Sequence, residues 1–503
     1  MEIAYKKLQN GSDIRGVAME GIEGQPVTLT NEAVTNIAKA FVLYLQETFH
    51  KSELRLSIGR DSRLSGERLM KAAADGILAM GASLTDFGLA STPSMFMSCV
   101  TPGYEFDGAI MLTASHLPWN RNGIKFFTKQ GGLEKADIAD ILASAEADAF
   151  IPAAERGKFE QVDFLSVYAQ GLVDRIRRGV NAEDYDHPLK GFHIVVDAGN
   201  GAGGFFVDRV LAPLGADTTG SQFLEPDGHF PNHQPNPEDE SAMQSIAACV
   251  LTNQADMGII FDTDVDRAGA VANDGKEVNR NRLIALISAV LLEEHPGTTI
   301  VTDSITSSGL ADFIAAKGGV HHRFKRGYKN VIDESIRINK SGHDSQLAIE
   351  TSGHGALKEN YFLDDGAYLM TKLLIKMAQL KREHRTLFSL IDSLAEPAES
   401  AEVRMNITVP EFAAYGSGIL KDLGEYAAKQ GWDVAKDNYE GIRVSFGAGQ
   451  GDGWFLLRMS LHDPLMPLNI ESNSAGGVHK IAEHLTGFLS AYDKLDSSGL
   501  KNL

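Results

Sequence analysis

The sequence predicts an α/β protein with several similar α/β domains and a smaller C-terminal α+β domain. Three observations predict this class. Apolar runs of strand type recur along the 503 residues, each run is followed by a loop rich in Gly, Asp, Ser or Asn, and each loop precedes a stretch with helical periodicity. Strands and helices that alternate at this spacing form βα units around a mostly parallel sheet. The chain has no strict short repeat, which favours separate domains over a solenoid.

The βα pattern is clearest in four segments, and a further strand is predicted between the first two. The four are LRLSIGRDSRLSG (54–66), FHIVVDAGNGAGG (192–204), MGIIFDTDVDRAG (257–269) and LAIETSGHG (347–355), and the further strand lies in GAIMLTA (108–114). Alternating patterns after about residue 396, VRMNITV (403–409) and WFLLRMSL (454–461), indicate the α+β domain. We expect domains over residues 1–185, 186–280, 281–395 and 396–503.

Composition excludes several classes of partner. Acidic residues outnumber basic ones by 67 to 47, so the net charge of -20 does not favour binding to nucleic acid or to an anionic membrane. Any phosphate must then be held by local basic pockets. Cys99 and Cys249 have no paired spacing, the N-terminus lacks a signal-type apolar core, and the apolar run Leu283–Leu292 is too short to span a bilayer. We expect a cytoplasmic protein, either a monomer or a homodimer.

The segment FDTDVDR (261–267) carries the sharpest chemical signal. Asp262, Asp264 and Asp266 follow a buried strand at successive i+2 positions. In a straight strand such residues lie about 6.6 Å apart, whereas the oxygens around Mg²⁺ converge to about 2 Å from the metal, so a shared ion requires a curled loop. A solvated acidic turn is the alternative, but three such carboxylates would repel one another without a cation. An EF-hand calcium site does not fit, because the twelve-residue loop and its final Glu are missing.

The stretch LTASHLPWNRNGIK (112–125) places Ser115 and His116 just past the end of a predicted strand. Ligands bind near such strand ends in open α/β sheets. Taken alone, however, a serine beside a histidine in a loop is more often an ordinary backbone-bonding residue. Arg267 could contact a phosphoryl oxygen or could neutralise the neighbouring carboxylates.

Another loop, IETSGHG (349–355), offers groups that suit sugar hydroxyls. Glu350 and Ser352 could exchange hydrogen bonds with a sugar, while Gly353 permits close backbone approach. His354 could bind substrate or transfer a proton, although an isolated loop histidine is more often simply exposed or hydrogen-bonded.

Together and in this order, these segments resemble the α-D-phosphohexomutases, the family of phosphoglucomutase, phosphomannomutase and phosphoglucosamine mutase. TASHLPWNRNGIK is similar to the family's phosphoserine loop T-A-S-H-N-P-x-x-x-N-G-x-K, with Leu117 in place of the customary Asn. FDTDVDR resembles the metal loop D-G-D-x-D-R, and ETSGH resembles the sugar loop E-x-S-G-H. SDIRG (12–16), GRDSRLSG (59–66), DAGNGAGG (197–204) and PDGHFPNHQPNPE (226–238) extend the match over nearly the whole chain.

The resemblance implies three related α/β domains with mixed sheets and a last α+β domain around a central cleft. It also implies an enzyme that interconverts hexose 1-phosphates and 6-phosphates through a phosphoserine and a hexose bisphosphate, which also serves as activator. Ser115 would carry the phosphate and complete a Mg²⁺ site with the three aspartates. Arg15, His116 and Lys125 would lie near the transferring phosphoryl group, with His116 and Lys125 as proton-transfer candidates. Arg267 would contact the phosphoserine, and the sugar phosphate would be bound by Lys329 of the KRGYK segment, Glu350, Ser352 and His354.

The C-terminal domain departs from the family pattern. The usual phosphate loop R-x-S-[GN]-T-E-P is followed by a second Arg, whereas this chain reads RMSLHDPLMPLNIES (458–472) with no Arg before Glu471. Arg458 and Ser460 match, Arg443 matches a nearby G-x-R position, and His462 replaces Thr. His462 could donate to a phosphate or could be a surface residue. The altered loop leaves open a catalytically weak sugar-phosphate-binding or regulatory homologue as an alternative to the mutase. The Asp-rich loop at 261–267 leaves open a Mg²⁺-dependent sugar phosphatase, since it could also serve hydrolysis.

Overall fold

A computed structural model describes residues 4–436, 438–460 and 463–503 of the chain. The chain divides into two compact units. The first unit contains the residues through Leu283 and Ser352–Ser389, and the second contains Ile284–Thr351 and Leu390–Leu503. Among the described residues, no helix is long and apolar enough to cross a bilayer.

The N-terminal part of the first unit is built on a mixed eight-stranded sheet in the order β1-β2-β6-β5-β3-β4-β8, with β7 paired to β6. Strands β3, β4, β5 and β8 run parallel, and β1, β2, β6 and β7 pair antiparallel. The strands are β1 (Gln9–Asn10), β2 (Asp13–Val17), β3 (Arg55–Arg60), β4 (Ser83–Leu89), β5 (Gly108–Leu112), β6 (Arg121–Thr128), β7 (Gly131–Gly132) and β8 (Phe159–Gln161). The helices are α1 (Asn31–Phe49), α2 (Gly66–Ala79), α3 (Thr92–Ser98), α4 (Lys135–Ala147) and α5 (Phe164–Val180).

Every residue of β5 is buried, as expected for a strand in the middle of a sheet that is covered on both faces. Helices α1, α2 and α4 contribute to the apolar core against the sheet, in which Phe41, Ile58 and Ile110 are almost fully buried. Helix α1 begins after Thr30, whose side-chain oxygen accepts the backbone N–H of Ala33. These layers fix where β5 ends, and therefore where the loop that contains Ser115 begins.

A second sheet of the first unit has the order β12-β11-β10-β9. Its strands are β9 (Ile194–Asp197), β10 (Met257–Phe261), β11 (Ala268–Ala272) and β12 (Glu277–Val278), and it is accompanied by a π-helix (Phe206–Leu211) and α6 (Glu240–Asn253). Strand β10 runs parallel to β9 and antiparallel to β11. Residues 262–267 therefore form the short connection between two paired, fully buried strands.

Helix α7 (Arg280–Glu294) precedes three parallel strands of the second unit. These are β13 (Thr299–Thr302), β14 (Val320–Arg323) and β15 (Ser345–Ile349), which alternate with α8 (Ser308–Ala316) and α9 (Tyr328–Lys340). In the first unit, β16 (Gly355–Leu357) pairs antiparallel with β17 (Leu363–Asp364) and α10 (Gly366–Arg382) follows.

The C-terminal part of the second unit is an antiparallel sheet in the order β18-β22-β21-β20-β19. It contains β18 (Glu399–Asn406), α11 (Phe412–Gln430), β19 (Asp433–Val434), β20 (Ile442–Phe446), β21 (Gly453–Leu457), β22 (Leu465–Ser472) and α12 (Gly477–Leu489). Apolar residues of α11 and α12 are buried in the same core as alternate residues of the strands. The predicted α/β class with mixed sheets and a C-terminal α+β region is confirmed.

Candidate active site

Ser115 lies in the loop directly after β5, as the sequence predicts. Its backbone is left-handed, with φ of 49°, and its side chain is buried. The backbone N–H of Ser115 donates to Thr113 Oγ1 at 2.9 Å. Its hydroxyl donates to Asp262 Oδ2 at 2.9 Å. The carrier serine of the predicted phosphoserine loop and the first aspartate of the predicted metal loop are therefore in direct contact.

The chain curls between β10 and β11, which resolves the problem that a straight strand would pose. Val265 takes a left-handed backbone with φ of 66°. Carboxylate oxygens of Asp262, Asp264 and Asp266 all lie within 4.8 Å of one another, and all three side chains are buried. We call these three residues the aspartate cluster.

Cationic side chains partly balance the aspartate cluster. The Lys125 ammonium lies 2.6 Å from Asp266 Oδ2 and 3.7 Å from Asp264 Oδ2. Burial opposes ionisation of Asp266, but the charges of Lys125 and Arg267 outweigh it and lower the pKa of that carboxyl. Burial and the charges of Asp266 and Asp264 instead raise the pKa of Asp262 well above its usual range. With all three carboxylates ionised, the cluster would carry more negative charge than Lys125 and Arg267 neutralise, and the raised pKa of Asp262 follows from burial together with that excess.

The donor set fits a hard divalent cation. Asp264 Oδ1 and Asp266 Oδ1 are buried, and among the described residues neither has a hydrogen-bond partner. Buried carboxylate oxygens normally have partners, because an unmet acceptor is energetically costly. Oxygen ligands in this number are those that Mg²⁺ accepts, with the remaining positions left to water or phosphate.

Arg267 connects the aspartate cluster to the predicted sugar loop. Its backbone N–H donates to Asp262 Oδ1 at 3.2 Å, and its Nε donates to His354 Nε2 at 3.2 Å. His354 Nδ1 then donates to Ser352 Oγ, 2.9 Å away. Burial, followed by the charges of Arg267 and Lys125, lowers the pKa of His354 well below its usual value. His354 is therefore a neutral imidazole, with its proton on Nδ1.

His116 and Arg15 flank the serine. His116 Nδ1 lies 3.4 Å from Ser115 Oγ, and burial, assisted by the charges of Arg267 and Arg15, lowers the pKa of His116 to about 3. The imidazole is therefore neutral near pH 7. Arg15 contacts Asp13 at 3.0 Å and donates to the Thr113 carbonyl at 3.4 Å. The side chains of His116 and Arg15 are both half-buried.

Two predicted substrate-binding residues lie in the second unit near the start of α9. Glu350 is buried, and its carboxylate accepts the backbone N–H of Gly327 at 2.6 Å. Lys329 lies in the first turn of α9 and forms an ion pair with Asp333, one turn further along, at 2.6 Å. The KRGYK segment thus meets Glu350 through the backbone of Gly327.

The predicted C-terminal phosphate residues have protein partners of their own. The Arg443 guanidinium donates to the carbonyls of Ser304 and Thr306 at 3.0 and 3.2 Å and stacks 3.5 Å from the Trp454 ring. Arg458 is buried, with its Nη1 3.8 Å from Glu440 Oε1.

Ser460 accepts the backbone N–H of Asp463 at 3.2 Å. His462 lies outside the described residues. Its predicted role stays a prediction.

Sequence reasoning missed two groups that contact the site. The Thr92 hydroxyl, at the start of α3, donates to Asp264 Oδ2 at 2.5 Å. Arg63 donates to the carbonyls of the Ser115 loop. Arg63 lies in the GRDSRLSG motif, so a signal was present, whereas Thr92 lies 172 residues from Asp264 in a segment without a chemical signature.

Comparisons with known proteins identify relatives of this chain. Models of the phosphoglucomutase/phosphomannomutase α/β/α domains I, II and III match residues 6–151, 170–275 and 279–397. A phosphoglucomutase of Neisseria gonorrhoeae is 30% identical over 475 residues, which are 93% of this chain and 94% of the relative. A phosphomannomutase/phosphoglucomutase of Pseudomonas aeruginosa is 30% identical over 482 residues, or 96% of this chain and 95% of the relative.

A solved structure has the same architecture. The crystal structure of a phosphoglucomutase/phosphomannomutase family protein from Burkholderia thailandensis superposes with a TM-score of 0.77 at 28% identity. The match covers 96% of each chain.

Proposed function

The chain belongs to the phosphoglucomutase/phosphomannomutase family, so it is an isomerase of the phosphohexomutase class, and we propose that it interconverts hexose 1-phosphates and hexose 6-phosphates through phospho-Ser115. The observation that carries the proposed mechanism is the 2.9 Å contact between Ser115 Oγ and Asp262 in a buried aspartate cluster. A hydroxyl in this position is suited to carry a phosphate beside a metal. No Ser-His-Asp triad is needed, since the serine never attacks a carbonyl.

The reaction then has two balanced halves. In the first, the bond between phosphorus and Ser115 Oγ breaks and a new one forms to a hydroxyl oxygen of the hexose monophosphate. That hydroxyl gives its proton to a base in the site, and Ser115 Oγ takes up a proton to become a free hydroxyl. In the second, the bisphosphate has turned around: the bond between its other phosphoryl group and the sugar oxygen breaks, that group bonds to Ser115 Oγ as the serine gives up its proton, and the freed sugar oxygen takes up a proton. Phosphoryl transfer requires alignment and charge neutralisation more than covalent help from the protein. Lys125 and Arg267 supply positive charge near the serine.

His116 is the group that we assign to proton transfer. Its neutral imidazole has a lone pair available, and Nδ1 lies 3.4 Å from the carrier oxygen. With a pKa of about 3 it is a weak base. A weak base suits a largely dissociative transition state, in which the attacking hydroxyl loses its proton late. Arg15, on the other side of the loop, would contact the transferring phosphoryl group.

We propose that the aspartate cluster holds Mg²⁺ together with the phosphate of Ser115. When bound, the ion would neutralise charge on the transferring phosphoryl group. Asp264 and Asp266 would contribute the oxygens that have no hydrogen-bond partner within the described part of the chain, and Asp262 would orient Ser115. A hexose bisphosphate would activate the enzyme by phosphorylating Ser115 in the same chemistry run in reverse.

Substrate recognition is proposed to rest on a sugar set and a phosphate set. The sugar set contains Lys329, Glu350, Ser352 and His354. The phosphate set contains Arg443, Arg458, Ser460 and His462. The substrate is thus a small sugar phosphate, whose phosphate the local cationic side chains would hold despite the protein's acidic character. We also propose a cytoplasmic location, because Cys99 and Cys249 are both free and buried.

Turnover of the 1-phosphates of glucose, mannose, glucosamine and N-acetylglucosamine, measured with Mg²⁺ and catalytic hexose bisphosphate, tests this function. Ser115→Ala should abolish turnover and the added phosphate seen by intact mass, whereas Ser335→Ala, which changes a buried serine away from the site, should keep both. Full turnover by Ser115→Ala would overturn the carrier assignment. Inorganic phosphate released faster than isomer forms would indicate a phosphatase instead.

A further inference from the structure

We propose that Arg63 is a positioning residue that holds the carrier serine in its reactive orientation. This inference rests on the proposed function of Ser115. It concerns a side chain that touches neither the aspartate cluster nor a hydroxyl of the site. The geometry that supports it is a closed ring of hydrogen bonds around the backbone of Ser115.

The guanidinium of Arg63 binds three backbone carbonyls of the Ser115 loop and the carbonyl of the first residue of β6. Its Nη2 donates to the carbonyls of Ser115 and Leu117, both at 2.5 Å. Its Nη1 donates to the carbonyls of Pro118 and Arg121 at 2.8 and 2.9 Å. Residues 113–120, between β5 and β6, contain no helix or strand, so these bonds replace the order that secondary structure would supply.

The same arginine is tied to the other side of Ser115. Asp61 accepts the backbone N–H of Arg63 at 2.9 Å and the Thr113 hydroxyl at 2.7 Å. The Thr113 oxygen in turn accepts the backbone N–H of Ser115 at 2.9 Å. Both the N–H and the C=O of Ser115 therefore belong to one network that begins and ends at the Asp61–Arg63 pair.

The side chains that form this network are buried. Arg63 is 1% exposed and Asp61 is fully buried. The Phe230 ring lies 5.3 Å from the guanidinium carbon and covers it. Gly228 packs so closely on residues 62–64 that a Cβ there would meet backbone atoms at 2.5 to 2.8 Å. The ring of bonds cannot exchange its partners for water without opening the segment that covers it.

Fixing this backbone matters because Ser115 is held at φ of 49°, where a non-glycine residue is uncommon. A serine that relaxed toward an ordinary φ would turn its Oγ away from Asp262. In-line phosphoryl transfer is sensitive to such turns, and a misplacement of about 1 Å can reduce a rate by about a hundredfold. Arg63 therefore affects the phosphoryl-transfer step through Ser115 and does not affect binding of the sugar.

The first test is Arg63→Met and Arg63→Lys in the full-length enzyme, with Arg68→Met as the matched control. Arg68 is a half-buried arginine that donates to the Ala18 carbonyl at 2.6 Å. We expect the Arg63 variants to lose about a hundredfold in kcat, with KM for the hexose phosphate changed less than about threefold. The control should keep both constants. A folded Arg63→Met enzyme with the wild-type kcat would overturn the inference.

Thr113→Val keeps the inference testable if both Arg63 variants fail to fold. It removes only the hydroxyl link of the ring and conserves shape. We expect a lower kcat with unchanged KM and a shifted ³¹P resonance of phospho-Ser115, and a wild-type kcat with an unshifted resonance would refute the ring. Absence of turnover and of phosphate on the wild-type enzyme would instead refute the proposed function. A lower melting temperature of the Arg63 variants with a normal kcat would show that Arg63 has only a structural role.

Discussion

Replacing Lys125 with methionine tests how the charges of the site are balanced. Lys125 is 6% exposed, and its ammonium is the cation closest to Asp266, at 2.6 Å. Methionine fills a similar volume without the charge. Removing one partner from a buried ion pair leaves the other charge uncompensated and destabilises a protein by about 3 to 5 kcal/mol. We expect a loss of that size in the metal-free Lys125→Met protein.

Magnesium should reverse part of this loss. Lys125 lies 3.7 Å from Asp264 as well, so its charge repels any cation bound to the same carboxylates. Two unit charges about 4 Å apart interact by about 4 kcal/mol at an effective dielectric constant near 20. A gain of about 1.4 kcal/mol in Mg²⁺ binding, or about tenfold in affinity, is therefore a modest lower bound for the variant. Its mutase turnover should nevertheless be lost.

Urea unfolding with EDTA and with saturating Mg²⁺, together with calorimetric titration of the ion, measures both effects. Lys372→Met is the matched control, because Lys372 is 9% exposed and pairs with Glu359 at 2.9 Å in the same unit. The control should lose stability without any change in Mg²⁺ affinity. The reasoning is refuted if metal-free Lys125→Met is as stable as the wild type, or if it binds Mg²⁺ no more tightly.

Two further predictions concern groups outside the predicted site. Thr92→Val should weaken Mg²⁺ binding about tenfold by calorimetry, because a hydrogen bond to a charged group contributes about 1.5 to 3 kcal/mol. Thr92→Ser, which keeps the hydroxyl, should bind Mg²⁺ normally. Equal Mg²⁺ affinities of Thr92→Val and the wild type would contradict a role of Thr92 in holding Asp264. His233 is buried, which lowers its pKa, but its bond to Asp197 and that carboxylate's charge outweigh burial and raise the pKa above 6.5. The stabilisation by His233 is therefore complete below about pH 6.5 and is lost as pH rises through the higher folded-state pKa. His233→Gln should flatten the decrease of the urea midpoint as pH rises above about 6.5. An unchanged slope would refute a stabilising His233–Asp197 pair.

The strands that position the site were predictable from the sequence. The runs GAIML and MGIIF are apolar throughout, and both are fully buried strands, β5 and β10. The polar residues that follow each run had to lie in loops at strand ends. The positions of Ser115 and the aspartate cluster relative to their own strands therefore follow from local pattern. Their contact with each other, across 147 residues, was indicated only by the family resemblance.

The supporting contacts could not be predicted, because they depend on loops that approach one another through sheet order. Thr92 follows β4 and meets Asp264 of another sheet. Arg63 follows β3, which neighbours β5, and so reaches the loop after β5. No periodicity in the sequence encodes either approach. A fully buried arginine also contradicts the usual expectation for this residue type, which is exposure.

The C-terminal arginines show a different limit of sequence reasoning. A motif match identifies Arg443 as a cation near a phosphate site, but it does not reveal what else that cation binds. The structure shows two backbone carbonyls and the Trp454 ring around it. Each of these carbonyls occupies one N–H of the Arg443 guanidinium, so fewer N–H groups are left for a ligand. A phosphate bound there would have to share the guanidinium with these protein partners.

Charge balance connects the aspartate cluster to the acidic character of the whole chain. Three buried carboxylates face two cationic side chains, Lys125 and Arg267, so the cluster would carry excess negative charge if all three were ionised. The raised pKa of Asp262 follows from burial and this excess, because a proton there removes one of the three charges. A divalent cation bound by the same oxygens would displace that proton and make the local excess positive. In a chain of net charge -20, a cation held by acidic residues would thus supply the positive pocket that a phosphoryl group needs, and the sign of that pocket would be set by what these residues bind.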